Sequence, residues 1–496
     1  MFKSHSFSSV FIQEPFLTFG DRKQYIDPKM GLLAYGPCLL PRRRVISSTI
    51  RLGVIGSNET IELTRQWIDR CQTEIPGKTE LPRLFQGFPG FTKVFGCELR
   101  VFPECIEVLH NEEIKRVTTQ IDPYERIYSA GNLLLKKIHN LRMRDPRPHV
   151  VICSIPQSII NWCGRVSRGN YISRRDTGLK SDGYIQTTLI PSEDGDTDKI
   201  PEIRDLRRYL KAKAMELGIP TQLAKPTTLK VDSADPTIQD DATRAWNFCV
   251  ALYYKAEGYP WKLAEMPIGT CYVGISFYRD PLNPRGARCS IAQIFTHTGE
   301  GLVLRGGRAK WDVISRSPHL SEETSFQLMT DTLTLYKDQM GRLPVRLVVH
   351  KSSRYWEDEL VGFKKAADEV EKTDFITILR QGIRFMRSRG KYPPIRGTTI
   401  QLGKNNYLLF TKGWIPYHET YAGLRVPTPL GIVEHYGDAS REQICKEILA
   451  LTKMNWNSAD FCISEPITLA YAREVGRILA YVPEEVIPRP EYRFYM

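Results

Sequence analysis

Two cations one helical turn apart, Arg207 and Lys211, stand in the stretch PEIRDLRRYLKAKAMELG at 201 to 218. On a helix their heads emerge at the same height on one side, where together they can grip one phosphate. The same spacing also serves a solvated basic face, and on this segment alone both readings stand. A second stretch, TCYVGISFYRD at 270 to 280, alternates as a strand does. Cys271, Val273, Ile275 and Phe277 are expected on a core face, and Tyr272, Gly274, Ser276 and Tyr278 on a face outside the core. A strand that turns into a polar Pro/Gly loop often carries a catalytic carboxylate at the centre of its second face. Here that position holds the hydroxyl of Ser276.

The elements that must position these residues follow from pattern and punctuation. Residues 201 to 218 are predicted as a helix, with Pro201 and Glu202 in its first turn, Ile203, Leu206, Leu210 and Leu217 as its apolar stripe, and Gly218 as its stop. RAWNFCVALYYKAEG is predicted as a further helix leading into the strand that carries Ser276. Before them, RVISSTIRLGVIGS and HVVICSIP read as strands and IELTRQWIDRC as a helix, an alternation that suggests an α/β layer with a parallel sheet. Residues 1–45, rich in Gly and Pro, read as an irregular leading arm ending in a basic run, and 177–202 as an exposed polar loop. After 270 a strand meander, the helical SEETSFQLMTDTLTLYKDQMG, the buried strand VRLVVH and a terminal helix around 465 to 481 are compatible with a ribonuclease H type of fold. Periodicity by itself does not single that fold out.

The chain has 496 residues, so two domains or more are expected. Lys and Arg number 69 against 56 Asp and Glu, a net charge of +13 that favours polyanionic partners through phosphate neutralisation. Eleven cysteines without a Cys-x-x-Cys pair signal neither a disulfide framework nor a zinc ribbon. Reduced thiols in a cytoplasmic protein are the simplest reading. No stretch approaches the roughly 20 apolar residues of a membrane helix, and the N-terminus lacks a signal-peptide core.

Six segments in order, GISFYRD, LPVRLVVHKSSRYWEDELVGF, YPPIRGT, LLFTKGWIPYHETYAGLRVPTPL, EILALTKMNWNSADFCISEPITLAYAREVGRIL and the terminal YRFYM, resemble the prokaryotic Argonautes, and within them the short ones built only of MID and PIWI domains. The resemblance implies an α/β chain in which a Rossmann-like MID domain (46–235) follows the arm and precedes an RNase H-like PIWI domain (236–496).

The resemblance also assigns sites. An active PIWI domain cuts with two divalent ions held by clustered carboxylates. It places those ligands at Ser276, at Ser352 in VVHKSS, and at Tyr471 in ITLAYARE, none of which can carry a divalent metal in this way. Asp280 shares a face with Ser276 but lies roughly 13 Å along the strand. Glu357, Asp358 and Glu359 suit the first turn of a helix. The chain is therefore expected to have no cutting activity of its own. For the 5′-phosphate of a guide, the resemblance assigns Arg207, Lys211, Gln222, Asn247 and Lys255. A Mg²⁺ ion is expected with the guide phosphates, bound through the C-terminal carboxylate of Met496, with the aromatic tail packed at the domain interface. Arg305, Arg308, Lys310, Arg380, Arg384, Arg387 and Arg389 are candidates to track a nucleic-acid backbone, and His350 reads as a strand-end hydrogen-bonding residue.

Short relatives without slicing residues pair with a separately encoded APAZ protein fused to an effector. By that resemblance the chain would load a guide RNA, pair it with single-stranded DNA of a plasmid or phage, and switch on a TIR or sirtuin-like NADase in a heterodimer that oligomerises on target binding. Death or dormancy of the invaded cell would follow. Two other readings are a guided nuclease, acting through unmapped carboxylates or a nuclease-type partner, and a protein that blocks targets by occupancy. Nonspecific binding of nucleic acid is a third, marked by steep salt dependence without preference for a 5′-phosphate.

Overall fold

The computed structural model describes residues 8–39, 47–167, 203–233, 235, 237–280, 283–295, 301–312, 317–385, 392–403, 406–423, 425–483 and 486–496. The polar loop at 177–202, Pro201 and Glu202 within it, the basic run at 42–44, and Arg387 and Arg389 lie outside these residues.

The leading segment departs from the expected irregular arm. It contains strand β1 (Ser9–Phe11) and helix α1 (Pro28–Tyr35), the latter capped by Asp27, whose carboxylate accepts from the Met30 amide at 2.9 Å. Glu14 pairs at 2.9 Å with both Arg396 Nε and Lys453 Nζ, whose side chains are fully buried. These partners lie hundreds of residues away, which hides the order of this segment from local composition.

Four strands then form a wholly parallel sheet: β2 (Thr49–Gly56), β3 (Glu98–Val108), β4 (Val150–Ser154) and β5 (Thr221–Ala224), in the order β3-β2-β4-β5. Helices α2 (Asn58–Gln72), α3 (Pro123–Arg142) and α4 (Leu206–Ala214) connect them. Every residue of β4 is buried, as a parallel strand covered on both faces requires.

Helix α4 starts later than predicted. Ile203–Asp205 form a short antiparallel ribbon with Arg165–Ser167. Asp205 then caps the helix, accepting from the Arg208 amide at 3.0 Å, and this cap outweighs Pro201 and Glu202 as a start signal. Gly218, left-handed at φ 65°, ends the following 3-10 turn as expected.

Helix α5 (Asp241–Lys255) joins the two halves. Trp246 meets Phe88 and Tyr253 stacks on Phe95, with ring centroids 5.1 and 4.6 Å apart, and one continuous apolar core holds Leu52, Trp246, Tyr272 and Ile448.

The second sheet is centred on β6 (Thr270–Asp280), β7 (Asn283–Phe295), β8 (Gly301–Asp312), β9 (Arg346–Lys351) and β10 (Lys372–Arg380). Its order there is β8-β7-β6-β9-β10, an antiparallel meander followed by two strands parallel to β6, the arrangement of a ribonuclease H type of sheet. Helices α6 (Glu322–Met340) and α7 (Glu357–Ala366) cover one face. Strands β11 (Thr398–Gln401), β12 (Tyr407–Leu409) and β13 (Leu430–Tyr436) extend the sheet beyond β10, where β1 pairs with β11. Helices α8 (Arg441–Leu451) and α9 (Ile467–Leu479) follow.

The face of β6 that carries Ser276 is buried too, contrary to the expectation from its polarity. Helix α9 lies across it so closely that a Cβ on Gly274 would stand 2.1 Å from the Thr468 carbonyl oxygen. Ser276 is 4% exposed. A central strand of a sheet with helices on both sides has no solvent face.

Candidate nucleic-acid interface

Three cations from two helices meet where the two sheets adjoin. Lys211 projects from α4 and is 1% exposed, and its Nζ donates to the Thr221 carbonyl at the start of β5. Lys255, in the last turn of α5 and also 1% exposed, donates to Gln222 Oε1, while the Gln222 amide donates to the Leu223 carbonyl at 3.2 Å. Arg207, one turn before Lys211, donates to the Glu474 carboxylate on α9 at 2.5 Å.

The electrostatics record how little counter-charge these groups have. Burial, aided by the nearby Arg207 guanidinium, pushes Lys255 down to about 7. Burial and then the charges of Lys255 and Arg207 hold Lys211 well below the ordinary lysine range. Glu474 offsets this only in part, because it is shared between Arg207 and Arg477, the latter at 3.5 Å. A phosphate placed among Arg207, Lys211 and Lys255 would supply the missing negative charge and accept charge-assisted hydrogen bonds.

Of the residues assigned to this cluster, Arg207, Lys211, Gln222 and Lys255 are brought together and Asn247 is not. Asn247 lies on α5 eight residues before Lys255, roughly 12 Å along the axis, and its Oδ1 accepts from the Ala459 amide at 2.9 Å. The assignment placed two residues of one helix in one site, and the helical rise separates them. Tyr492, Phe494, Tyr495 and Met496 are buried in the core they share with α5, as expected of the aromatic tail.

A Mg²⁺ ion needs hard oxygen ligands. The side chains of this cluster are three cations and an amide, and the neighbouring Glu474 is already held by two arginines. They do not fit the ion on their own.

Two of the three positions assigned to cutting do stand together. Ile275 pairs with Lys351 in the parallel register of β6 and β9, and the Ser352 amide donates to the Ile275 carbonyl at 3.4 Å, so Ser276 and Ser352 are lateral neighbours. Tyr471 does not join them. Its ring stacks on Tyr492 with centroids 3.2 Å apart, and its hydroxyl donates to the Met454 carbonyl at 3.3 Å. It also lies beside Gly301, which is level with Tyr272 through Ile294. That level is four residues, roughly 13 Å along the strand, from Ser276. Helix α9 crosses from β6 towards β8, and a motif position on it cannot be carried straight back to Ser276. Glu357 does begin α7, and Glu359 is buried in an ion pair with Lys351 at 2.5 Å. The side chain of Asp280 lies outside those described. Among the described residues no three His, Cys, Asp or Glu side chains converge in a metal-holding group.

Glu474 and Tyr471 also line a cavity of about 280 Å³, together with Arg380, Glu465, Arg473 and Arg477 among others. Glu465 is nearly buried, yet Arg473, at 2.7 Å, and Arg380 hold its carboxyl below the usual range against the effect of burial. Sequence reasoning missed Glu465 and Glu474, whose partners Arg380 and Arg207 are 85 and 267 residues away.

The remaining basic candidates divide. Arg305 donates to the carbonyls of Pro483 and Val482 at 2.6 and 3.0 Å and serves the fold. Arg308, Lys310 and Arg384 are exposed, and Arg380 is committed to Glu465. His350 hydrogen-bonds Thr468 Oγ1 through Nδ1 at 2.9 Å, and burial, reinforced by Arg346, pushes it down to about 3, a neutral hydrogen-bonding residue as expected.

Comparison with known proteins gives this geometry its class: the chain is similar in sequence to Argonaute proteins and has an Argonaute-like fold. It is 23% identical over 274 residues to the Argonaute of Aquifex aeolicus and 25% identical over 293 residues to that of Thermus thermophilus. Each match takes in 55% of this chain, and 35% and 37% of those relatives. The structure of Clostridium butyricum Argonaute bound to a guide DNA and a 19-mer target DNA superposes with a TM-score of 0.63 at 16% identity, over 97% of this chain and 54% of that one. Drosophila Piwi superposes at 0.58 and 12% identity, over 98% of this chain and 56% of that one. The chain thus spans about half the length of the solved structures it resembles. No family model matches it.

Proposed function

We propose that this chain binds the 5′-phosphorylated end of a guide RNA at Arg207, Lys211, Gln222 and Lys255 and presents the guide to complementary single-stranded DNA without cutting it. The observation that carries the reading is the cluster itself: two buried lysines and an arginine from α4 and α5, depressed by one another and short of counter-charge. The solved Clostridium butyricum Argonaute, bound to a guide DNA and a target DNA, supports a nucleic-acid ligand. Sequence would be read by base pairing, while the protein holds the backbone by charge and shape.

The reading extends to a partner. A cytoplasmic chain that presents Ser276 and Ser352 where carboxylates would hold metal ions suits a division of labour. Here an APAZ-containing protein with a TIR or sirtuin-like domain forms a heterodimer with it. Target pairing would stabilise an assembly, oligomeric in its active state, that the guide alone does not. NAD consumption by the partner would then disable a cell invaded by plasmid or phage. Any Mg²⁺ would enter with the guide phosphates, with the Met496 carboxylate as its protein ligand.

The test is to purify the chain with its partner, add 5′-phosphorylated guide RNA and complementary DNA, and follow NAD and target together. NAD loss only with matched target and intact DNA is expected. A cut target with stable NAD would replace this reading with that of a guided nuclease, and omitting the partner would show which chain cuts.

A further inference from the structure

At the opposite end of α4 from Arg207, two arginines from distant parts of the chain converge on Gly218, the left-handed residue that closes the 3-10 turn. Arg147, in the loop between α3 and β4, donates through Nη2 to the Gly218 carbonyl at 2.9 Å. Arg489, in the segment after α9, donates through Nε to the Met215 carbonyl at 3.2 Å, and its guanidinium lies over the Phe494 ring, 5.4 Å from the centroid. A Cβ on Gly218 would stand 2.8 Å from Arg489 Nη2 and 3.8 Å from Arg147 Nη2, so the two guanidinium groups flank one backbone carbon and both Nη2 atoms lie within 4 Å of one point.

Fixing the end of a helix accounts for part of this arrangement, because the last carbonyls carry partial negative charge that cations offset. One N–H of each guanidinium serves that purpose, and the planar fork has others to give. The positive charge exceeds what the carbonyls offset. Arg142, the last residue of α3, adds a third cation: partial burial, and then Arg142 and Arg489, hold Arg147 below the ordinary arginine range. The acids next in sequence are committed elsewhere, Glu491 to Arg493 at 3.5 Å and Glu216 to Lys213 at 3.5 Å. Among the described residues no carboxylate forms an ion pair with Arg142, Arg147 or Arg489, and all three are exposed.

We propose that Arg147 and Arg489 form a second anion site, distinct from the cation cluster, that holds a phosphate group beside Gly218. Guanidinium forks match phosphate oxygens in pairs, with bonds of about 2.8 Å. Two forks fixed on either side of one backbone carbon can both bond a phosphate, whose oxygens point in several directions. A carboxylate presents one planar edge, which a single fork fills. The phosphate can belong to a free phosphorylated molecule or to the backbone of a bound strand, and the contact is the same. The inference does not rest on the reading of Arg207, Lys211, Gln222 and Lys255, with which this site shares no residue.

The test uses the full chain carrying Lys211→Met, which weakens the first cluster, and inorganic pyrophosphate as the probe in titration calorimetry. Saturable binding is expected, and Arg147→Gln with Arg489→Gln should weaken it at least tenfold. Those changes also remove contacts that hold the helix end. Arg147→Lys with Arg489→Lys keeps the charge and loses the fork, and should weaken binding at least threefold with the thermal unfolding midpoint unchanged. A single-stranded oligonucleotide with a 5′-hydroxyl separates the sources. A strand backbone at the site makes the slope of log K against log salt shallower by about 0.7 in the Gln pair, and an unchanged slope beside pyrophosphate binding assigns a free phosphorylated ligand. Pyrophosphate binding that is absent, or unchanged in both pairs of variants, would overturn the proposal. So would tighter binding of hexaglutamate, the mark of a surface for an acidic protein segment.

Discussion

The cation cluster at the junction of the sheets and the carboxyl ends of β6 and β9 treat charge in opposite ways. In the first, Lys211 and Lys255 are buried beside Arg207 with one shared carboxylate between them and the solvent-side arginines. In the second, two serines stand side by side, and the buried acid Glu359 is already matched by Lys351, the residue before Ser352. Burying like charges is costly unless a ligand offsets it, so an incoming anion would relieve the first place. The second is satisfied as it stands. The contrast teaches that sites are marked by imbalance of charge more than by its amount.

The largest effect should come from removing a cation. Lys211→Met keeps the length of the side chain, and losing a charge-assisted hydrogen bond should weaken 5′-phosphorylated oligonucleotide binding about 10- to 100-fold, measured by fluorescence anisotropy. An unchanged affinity would break the comparison at its stronger end.

Protonation gives a second handle. Lys255 is held at about 7, below its unfolded value, so the folded chain binds fewer protons than the unfolded one above pH 7. Its contribution to stability therefore grows as pH rises from about 7 towards the ordinary lysine range. A bound phosphate favours the protonated lysine, so phosphate-end affinity should fall as pH rises from 7 to 9. Lys255→Met should flatten both profiles, read by thermal unfolding and by anisotropy.

A smaller effect, of opposite sign, is expected at Glu474. In the free chain its carboxylate occupies Arg207 and competes with a phosphate. Glu474→Gln should tighten phosphate-end binding about two- to fivefold, the scale of a part-exposed ion pair. Asn247→Ala should leave that affinity unchanged and lower stability by about 1 kcal/mol, through the hydrogen bond lost to Ala459. The smallest effect belongs to the serines: Ser276→Asp with Ser352→Asp should create no Mg²⁺- or Mn²⁺-dependent cutting. Lys351 stands next to Ser352, and among the described residues no group of His, Cys, Asp or Glu is poised to hold a metal; a cut product on a gel would contradict this.

What was legible in the sequence follows the range of the interactions. The turn spacing of Arg207 and Lys211, the alternation of β6 and the apolar runs of β4 and β9 are local, and the structure keeps them. Family motifs added Gln222, Lys255 and the pairing of Ser276 with Ser352. They failed at Asn247, which the rise of α5 carries out of the site, and at Tyr471, which the oblique crossing of α9 carries past it. Glu14, Glu465 and Glu474 left no local signal, because each acquires its meaning from a cation brought close only by the complete fold. The burial of Ser276 was hidden for the same reason, since α9 closes over β6 from nearly 200 residues downstream.

The most direct measurement compares one oligonucleotide with a 5′-phosphate and with a 5′-hydroxyl, titrated against the full chain and against Lys211→Met in a double cycle. The account predicts that the full chain prefers the phosphate at least tenfold and that the variant loses this preference while its remaining affinity persists. Equal affinity of the full chain for both ends would contradict it.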